Sequence, residues 1–328
     1  MATAMNLGFD AYITAALFDA SGLAVFALGD GSVRWEDGRR GDAHQGAVLC
    51  AVRHPSGEGV LTGGDDGRLA WSKPSGAETL AESPGRWIDA VAASSASGLI
   101  AFASGREAQL RDAKDPAFAN VLRHERAVAA VAFDPKGRRL ACATYGGATL
   151  WYARIQEQKP QWLKWAGSHV ALAFNPDAKF LISAMQENAL HGWRLSDGAD
   201  MRMGGYPAKV KAMAFLDGGR LLATSGASGA VIWPFGGSSG PMGKQAAEVG
   251  FQDGAIVTCV AGSEKGPLLA AGLDDGRIWT ANLSGSGVSF LKADKGPPIT
   301  ALALSPDAGR LAWGEEDGGA GVAETGWA

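Results

Sequence analysis

A short apolar motif that recurs eight times, hairpin turns built on Asp-Gly, and a tryptophan at a fixed place in most copies together predict an all-β fold. The predicted architecture is a β-propeller of eight four-stranded antiparallel blades, with seven blades as the alternative. The recurrence is visible when Val128-Ala-Ala-Val-Ala-Phe-Asp-Pro-Lys-Gly137 is set beside Val170-Ala-Leu-Ala-Phe-Asn-Pro-Asp-Ala178, Val210-Lys-Ala-Met-Ala-Phe215 and Ile299-Thr-Ala-Leu-Ala-Leu-Ser-Pro306. The same start appears at Ile13, Val48, Ile88, Val128, Val170, Val210, Val257 and Ile299, at intervals of 35, 40, 40, 42, 40, 47 and 42 residues.

Each copy continues alike. A second apolar strand follows the first turn, as in Leu23-Ala-Val-Phe26, Leu140-Ala-Cys-Ala143 and Leu268-Leu-Ala-Ala271. Then comes a tight turn, such as Asp30-Gly31, Asp66-Gly67, Asp275-Gly276 or Asp317-Gly318, where glycine accepts the positive φ that such hairpins need. A third strand carries Trp35, Trp71, Trp151, Trp193 or Trp233, and a less apolar fourth, such as Asn120-Val-Leu-Arg123, leads onward. One such sheet cannot bury both faces alone, so neighbouring copies must stack. A helical repeat of similar period is excluded by the strand alternation and by glycine interrupting every potential helix.

The 328 residues allow 41 per copy, and 1–328 is expected to be a single propeller domain. The last copy ends at its third strand, near Gly319-Ala-Gly-Val322, and the segment Ala4 to Phe9 precedes the first copy. Pairing that N-terminal segment onto the last blade would close the ring and remove an open edge.

Composition excludes several functional classes. Glycine at 47 residues fits many tight turns, and 46% hydrophobic residues exclude wholesale disorder. A net charge of −4 gives no general pull toward nucleic acid or an anionic membrane, and neither is expected as a partner. No stretch reaches the roughly 18 apolar residues of a membrane span. Cys50, Cys142 and Cys259 form no C-x-x-C pair, which fits buried thiols in a reducing, cytoplasmic setting.

The stretch Leu61-Thr-Gly-Gly-Asp-Asp-Gly-Arg-Leu-Ala-Trp71, preceded by His44, resembles the WD-repeat (tryptophan–aspartate repeat) propeller family, and the resemblance runs over essentially the whole chain. It implies a His–Ser/Thr–Asp–Trp hydrogen-bond network within a blade, for which His44, Thr62, Asp66 and Trp71 are the candidates. Trp71 falls five residues after Asp66 where the family spacing is six, which would put it on the opposite face of its strand. In the fourth copy His124 has Thr144 and Trp151, with Gly146 where an aspartate would stand. The resemblance also implies a protein-binding scaffold.

The remaining motifs point away from catalysis and cofactors. His54, His169 and His191 form no H-x-x-E-H or H-E-x-x-H pattern, and the Asp-Gly pairs lack the further oxygens of a calcium loop, so no metal is expected. Gly236-Gly-Ser-Ser-Gly-Pro-Met-Gly-Lys244 fails the phosphate-loop pattern, because Ser238 takes the first glycine position and Gln245 follows the lysine. There is no G-x-S-x-G elbow. No cofactor and no enzymatic activity are expected.

Two candidate interaction surfaces remain. On the face formed by the second-to-third turns and the loops entering each first strand, copies seven, eight, one and two carry Asp274, Asp275, Glu315, Glu316, Asp317, Asp30, Asp65 and Asp66. The entry loops of copies three and four carry Arg86, Trp87, Arg123 and Arg126. Paired acidic and basic sectors suit a protein-docking face, though turns are also polar merely because they are solvated. The second candidate is Lys159-Pro-Gln-Trp-Leu-Lys-Trp-Ala166, where strand alternation sets Trp162 with Lys164 and Trp165 with Leu163. Both tryptophans are hard to bury in an outermost strand unless a neighbouring blade covers them. The sequence thus predicts a non-catalytic scaffold or complex subunit with a protein partner, and, as the alternative, a propeller with a small-ligand or catalytic site in its axial channel.

Overall fold

The computed structural model describes residues 4–285 and 287–327 and is built of short antiparallel strands, with one 3-10 turn at Asp217–Gly219 as the sole helical element among them. The chain is an all-β propeller of four-stranded antiparallel blades. Two compact units divide it: Met1–Phe18, Gly22–Phe26 and Gly204–Ala328 form the first, Asp19–Ser21 and Ala27–Met203 the second.

Repeat two, in the second unit, shows how a blade arises. Its strands are Val48–Arg53, Val60–Gly64, Arg68–Lys73 and Gly76–Glu82. Val60–Gly64 is buried at every position, as are Leu99–Ser104 in repeat three and Phe180–Met185 in repeat five. A strand buried on both faces needs a continuous apolar run, and these have one. Gly76–Glu82 is largely exposed and carries Glu78 and Glu82, which suits an outer edge.

The core lies between successive repeats, as expected for sheets that bury each other. Leu61 and Leu69 of repeat two pack with Ile88, Ile100 and Phe102 of repeat three. Leu110 and Leu122 of repeat three pack with Leu140, Cys142 and Trp151 of repeat four. In the first unit, Trp279 joins repeats six and seven and Trp313 joins seven and eight. The joints share a further device. A side chain at Gly63, Gly272 or Gly314, each on a second strand, would run into Ile88, Ile299 or Ile13, the start residue of the following copy. Where the start is smaller, as at Val128, the facing second strand carries Ala103 instead, within the same cluster. Interiors packed at crystal-like density require such matching of volumes.

Counted as hydrogen-bonded sheets among the described residues, the blades number seven, the alternative number, and not eight separate ones: six sheets have four strands and one has six. All eight copies are nevertheless present, because repeats four and five share the wide sheet. Arg139–Tyr152 supplies the second and third strands of repeat four, while Gln161–Phe174 supplies its fourth strand and the first of repeat five. Tyr145 pairs with Ser168 across the two tight hairpins, and this pair fuses the repeats.

In the first unit, Met5–Gly8 pairs antiparallel with Gly319–Glu324, from Met5↔Val322 to Gly8↔Gly319, and so gives the last sheet its fourth strand. Phe9 continues the attachment through its ring against Phe26 and its amide donated to the Gly318 carbonyl.

Gly67 shows why the Asp-Gly turns hold the rim in place. Its φ is +76°, and a side chain there would strike the carbonyl oxygens of Ser83 and Arg86. The Ser83 amide donates to the Gly67 carbonyl at 2.7 Å. The turn is thereby clamped to the next entry loop, and that loop presents Arg86 and Trp87.

Candidate docking surface

Blade-internal networks consume some of the polar residues that the sequence singles out. His44 Nδ1 donates to Asp66 Oδ1 at 2.9 Å, since a carboxylate only accepts, leaving Nε2 to accept from the Thr62 hydroxyl at 2.8 Å. Asp66 also accepts from the amides of Gln45 and Arg68. Burial works against ionisation here, but these bonds outweigh it and hold the carboxyl below its usual range. Trp71 stays outside this network, as its spacing foretold: it stacks on His54 with centroids 3.9 Å apart and donates to the Glu58 carbonyl.

In repeat four Thr149, and not Thr144, is the hydroxyl partner: it lies 2.9 Å from His124 Nε2 and accepts from Trp151 Nε1 at 2.9 Å. Thr144 turns instead toward the carbonyls of Tyr145 and Gly147, because the tight hairpin carries it past the histidine. Repeat six has a variant that sequence reading missed. Trp233 Nε1 donates to the Tyr206 hydroxyl at 2.6 Å, and Tyr206 meets Thr224 at 2.7 Å. The signal was available, for Tyr206 stands four residues before Val210 as His44 stands before Val48.

The acidic turns are mostly engaged. Asp30 accepts from the amide and hydroxyl of Ser32, Asp274 from the Ile256 amide, and Asp317 from the Gly319 amide. Asp275 is held by Arg277 at 2.8 Å and Lys295 at 3.4 Å; against the opposing cost of burial, these contacts keep its carboxyl below the usual range. Glu315 is buried and takes Trp313 Nε1 and Lys292 Nζ, both at 3.3 Å. Asp65 is half-buried, and Glu316 is exposed.

The basic residues are placed differently, all of them in the second unit. Arg86, Arg106, Glu107, Arg123 and His124 line a cleft of about 510 Å3. Glu125, Arg126, Tyr145, Trp162, Lys164 and Trp165 line a neighbouring one of about 520 Å3. The entry loop Arg123-His124-Glu125-Arg126 is the wall between them. The structure therefore joins the two surfaces that the sequence separated, bringing Arg126 to Trp162 and Trp165. Strand alternation holds: Leu163 is buried and Trp165 half-buried against the core, while Trp162 and Lys164 are exposed.

Exposure marks the aromatic residues of this rim. Trp87 is 63% exposed, Tyr145 56% and Trp162 42%. Arg126 lies over the Tyr145 ring at 5.0 Å, and Arg123 reaches Glu107 at 3.4 Å. Arg86 and Arg106 have no ion-pair partner among the described residues. Trp165 rests on buried His191 with centroids 3.9 Å apart; neither His191 ring nitrogen makes a hydrogen bond, and Nε2 lies 3.5 Å from the Asp200 carboxylate. Tyr145, Arg106 and the His191 support were not assigned from sequence, since each depends on how repeats four and five fuse or on which turn charges stay free.

The thiols sit within the core strands. Burial pushes Cys50 up to about 12 and Cys259 to about 11, and raises Cys142 as well. All three are free cysteines. No helix among the described residues is long and apolar enough to cross a membrane.

Comparison with known proteins adds the following. The family described as WD domain, G-beta repeat matches residues 38–70. Among solved structures, the chain is similar to the computationally designed Ika8 protein, with a TM-score of 0.75, 20% identity and 97% of each chain covered. It is also similar to the β-propeller domain of Cps50 (Swd1) from Myceliophteria thermophila, with a TM-score of 0.65, 15% identity, and 85% of this chain and 96% of that one covered. No curated protein matches.

Proposed function

Starting from a divergent WD-repeat β-propeller, we propose that the chain is a non-catalytic scaffold or complex subunit that docks a protein partner on the rim formed by repeats three to five. The observation that carries this reading is that exposed Tyr145 and Trp162 line a cleft with Arg126, next to a cleft lined by Arg86 and Arg106, which have no ion-pair partner among the described residues; Trp87 is exposed on the same entry loop as Arg86. Aromatic residues and arginine are the side chains that most often anchor interfaces. The acidic residues still free to meet a basic partner are Asp65 and Glu316, with Asp317 and Asp274 partly so. We place the protein in the cytoplasm and treat 1–328 as one domain, which predicts a single cooperative unfolding transition by calorimetry.

Affinity purification of the tagged chain from its native lysate tests the scaffold. A stoichiometric protein partner that is lost with Trp162→Ala and Arg126→Gln supports it. Recovery of the chain alone, or of a partner indifferent to both substitutions, counts against docking at this rim.

A further inference from the structure

The two clefts share one wall but differ in chemistry. The first is lined by three arginines and one glutamate, Glu107, which is already engaged by Arg123 and by Gln109. The second is aromatic, with Tyr145, Trp162 and Trp165 beside Arg126, Lys164 and Glu125. Several contacts preorganise this surface. Glu107 steadies Arg123, Tyr145 supports the Arg126 guanidinium, and Trp165 is fixed from beneath by His191. Groups held in place before binding lose less freedom when a ligand arrives.

Resting on the scaffold reading, we propose that the two clefts together bind one extended acidic protein segment. Its carboxylates would meet Arg86, Arg106 and Arg123, and a large apolar side chain would lie against Trp162 and Tyr145. Guanidinium groups bind carboxylates bidentately, and the planar fork makes that contact geometrically selective. The aromatic cleft supplies the apolar area that charge pairing at an exposed rim does not.

Glu107 and Glu125 favour a peptide over a polyphosphate. Both carboxylates repel any anion, but peptide amides can donate to them and offset that cost, whereas the phosphates of a nucleic-acid backbone bring no donor. The net charge of −4 points the same way, because a long polyanion running beyond the clefts meets an acidic protein.

The test uses the full chain and random 12-residue peptides displayed on phage, with the selected sequences then synthesised and measured by fluorescence anisotropy. Selected peptides should be net acidic with at least one aromatic or large aliphatic residue. The paired variant Arg106→Glu with Arg123→Glu should weaken them by more than about tenfold, and raising salt from about 50 to about 300 mM should weaken the unmodified chain's binding. Arg106→Gln with Arg126→Gln, which puts neutral polar side chains at those two positions, guards against misfolding of the charge-reversed variant and should cost about threefold or more. Trp162→Ala should act on the dissociation rate. Neutral or basic selected peptides, or acidic ones whose affinity both variants leave within about twofold, overturn the inference. So does tighter binding of an oligo-dT 12-mer or of phosphatidylserine vesicles through the same arginines. If a stoichiometric partner binds in the lysate but ignores these residues, the acidic-segment inference falls while the scaffold stands; if no partner is recovered, both fall.

Discussion

Arg106 and Asp275 occupy the same place in their repeats, the turn between second and third strands, and have opposite fates. Asp275 is gripped by Arg277 and Lys295, whereas Arg106 projects into a cleft with no ion-pair partner among the described residues. The same contrast separates Asp30, Asp66 and Glu315 from Arg86 and Arg126. The cause lies in hydrogen-bond chemistry. A carboxylate only accepts, and a tight turn offers amide donors within reach of a short acidic side chain, as Ser32, Arg68 and Gly319 do here. Arginine only donates and cannot take up those amides; it is drawn into a turn where a carboxylate waits, as Arg277 is by Asp275, and Arg106 has no such partner among the described residues. Equal charge density along a sequence therefore does not mean equal availability to a partner.

The contrast can be broken most severely at the last sheet. Deleting residues 1–10 removes the strand Met5–Gly8 and Phe9, whose amide and carbonyl flank the Asp317-Gly318 turn. A loss above about 4 kcal/mol is expected by urea denaturation. An unchanged midpoint would sink the assignment of that strand.

Asp66→Ala comes next. It strands His44 and two amides, and should cost about 2–4 kcal/mol. A cost under about 0.5 kcal/mol would mean that Asp66 is as free as Arg106.

A pH series sharpens the comparison further. Burial, aided by neighbouring charges, holds His54 and His191 at about 4, so both stay neutral in the fold and gain protons on unfolding once the pH drops below about 6.5. Stability should fall from about pH 6.5 toward pH 4 on this account. The contribution of Asp30, Asp66 and Asp275, whose carboxyls are held low, is present above about pH 4 and lost as pH falls through their folded values. His191→Phe should flatten the first decline, as thermal melts at pH 7, 6 and 5 will read.

The smallest effect belongs to Arg106→Gln, which should change stability by no more than about 0.5 kcal/mol. A larger change would show that this arginine, too, serves the fold.

Much of the architecture was legible because a repeat is written eight times. The start residues, the Asp-Gly turns and the spare N-terminal strand follow from periodicity and turn chemistry alone. The blade count was less so: Tyr145 pairs with Ser168 through two hairpins whose tightness no periodicity records. The candidate site was half legible. Trp87, Arg123 and Arg126 could be placed on the rim from repeat phase, and alternation separated Trp162 from Trp165 correctly. That Arg126 would meet Trp162 required the same fused sheet. That Asp66 would be consumed internally, with His44 and Thr62, was implied by the WD-repeat resemblance; that Glu315 would be required knowing which donors lie opposite it.

The Gly–Ile joints have a consequence for the order in which the molecule comes into being. Gly63 and Ile88 leave the ribosome close together, so their joint closes a short loop. Ile13 must wait for Gly314, and the Thr300 hydroxyl donates to the Ile13 carbonyl across 287 residues of chain. The closure entropy grows only slowly with that length, but contacts of such high sequence separation form late and slowly. The unit made of Asp19–Ser21 and Ala27–Met203, which holds the whole arginine-aromatic rim, is synthesised before the other can find its last partner. Until that closure the strand Met5–Gly8 and Ile13 lack their partners, and a chain truncated before residue 314 lacks both partners altogether.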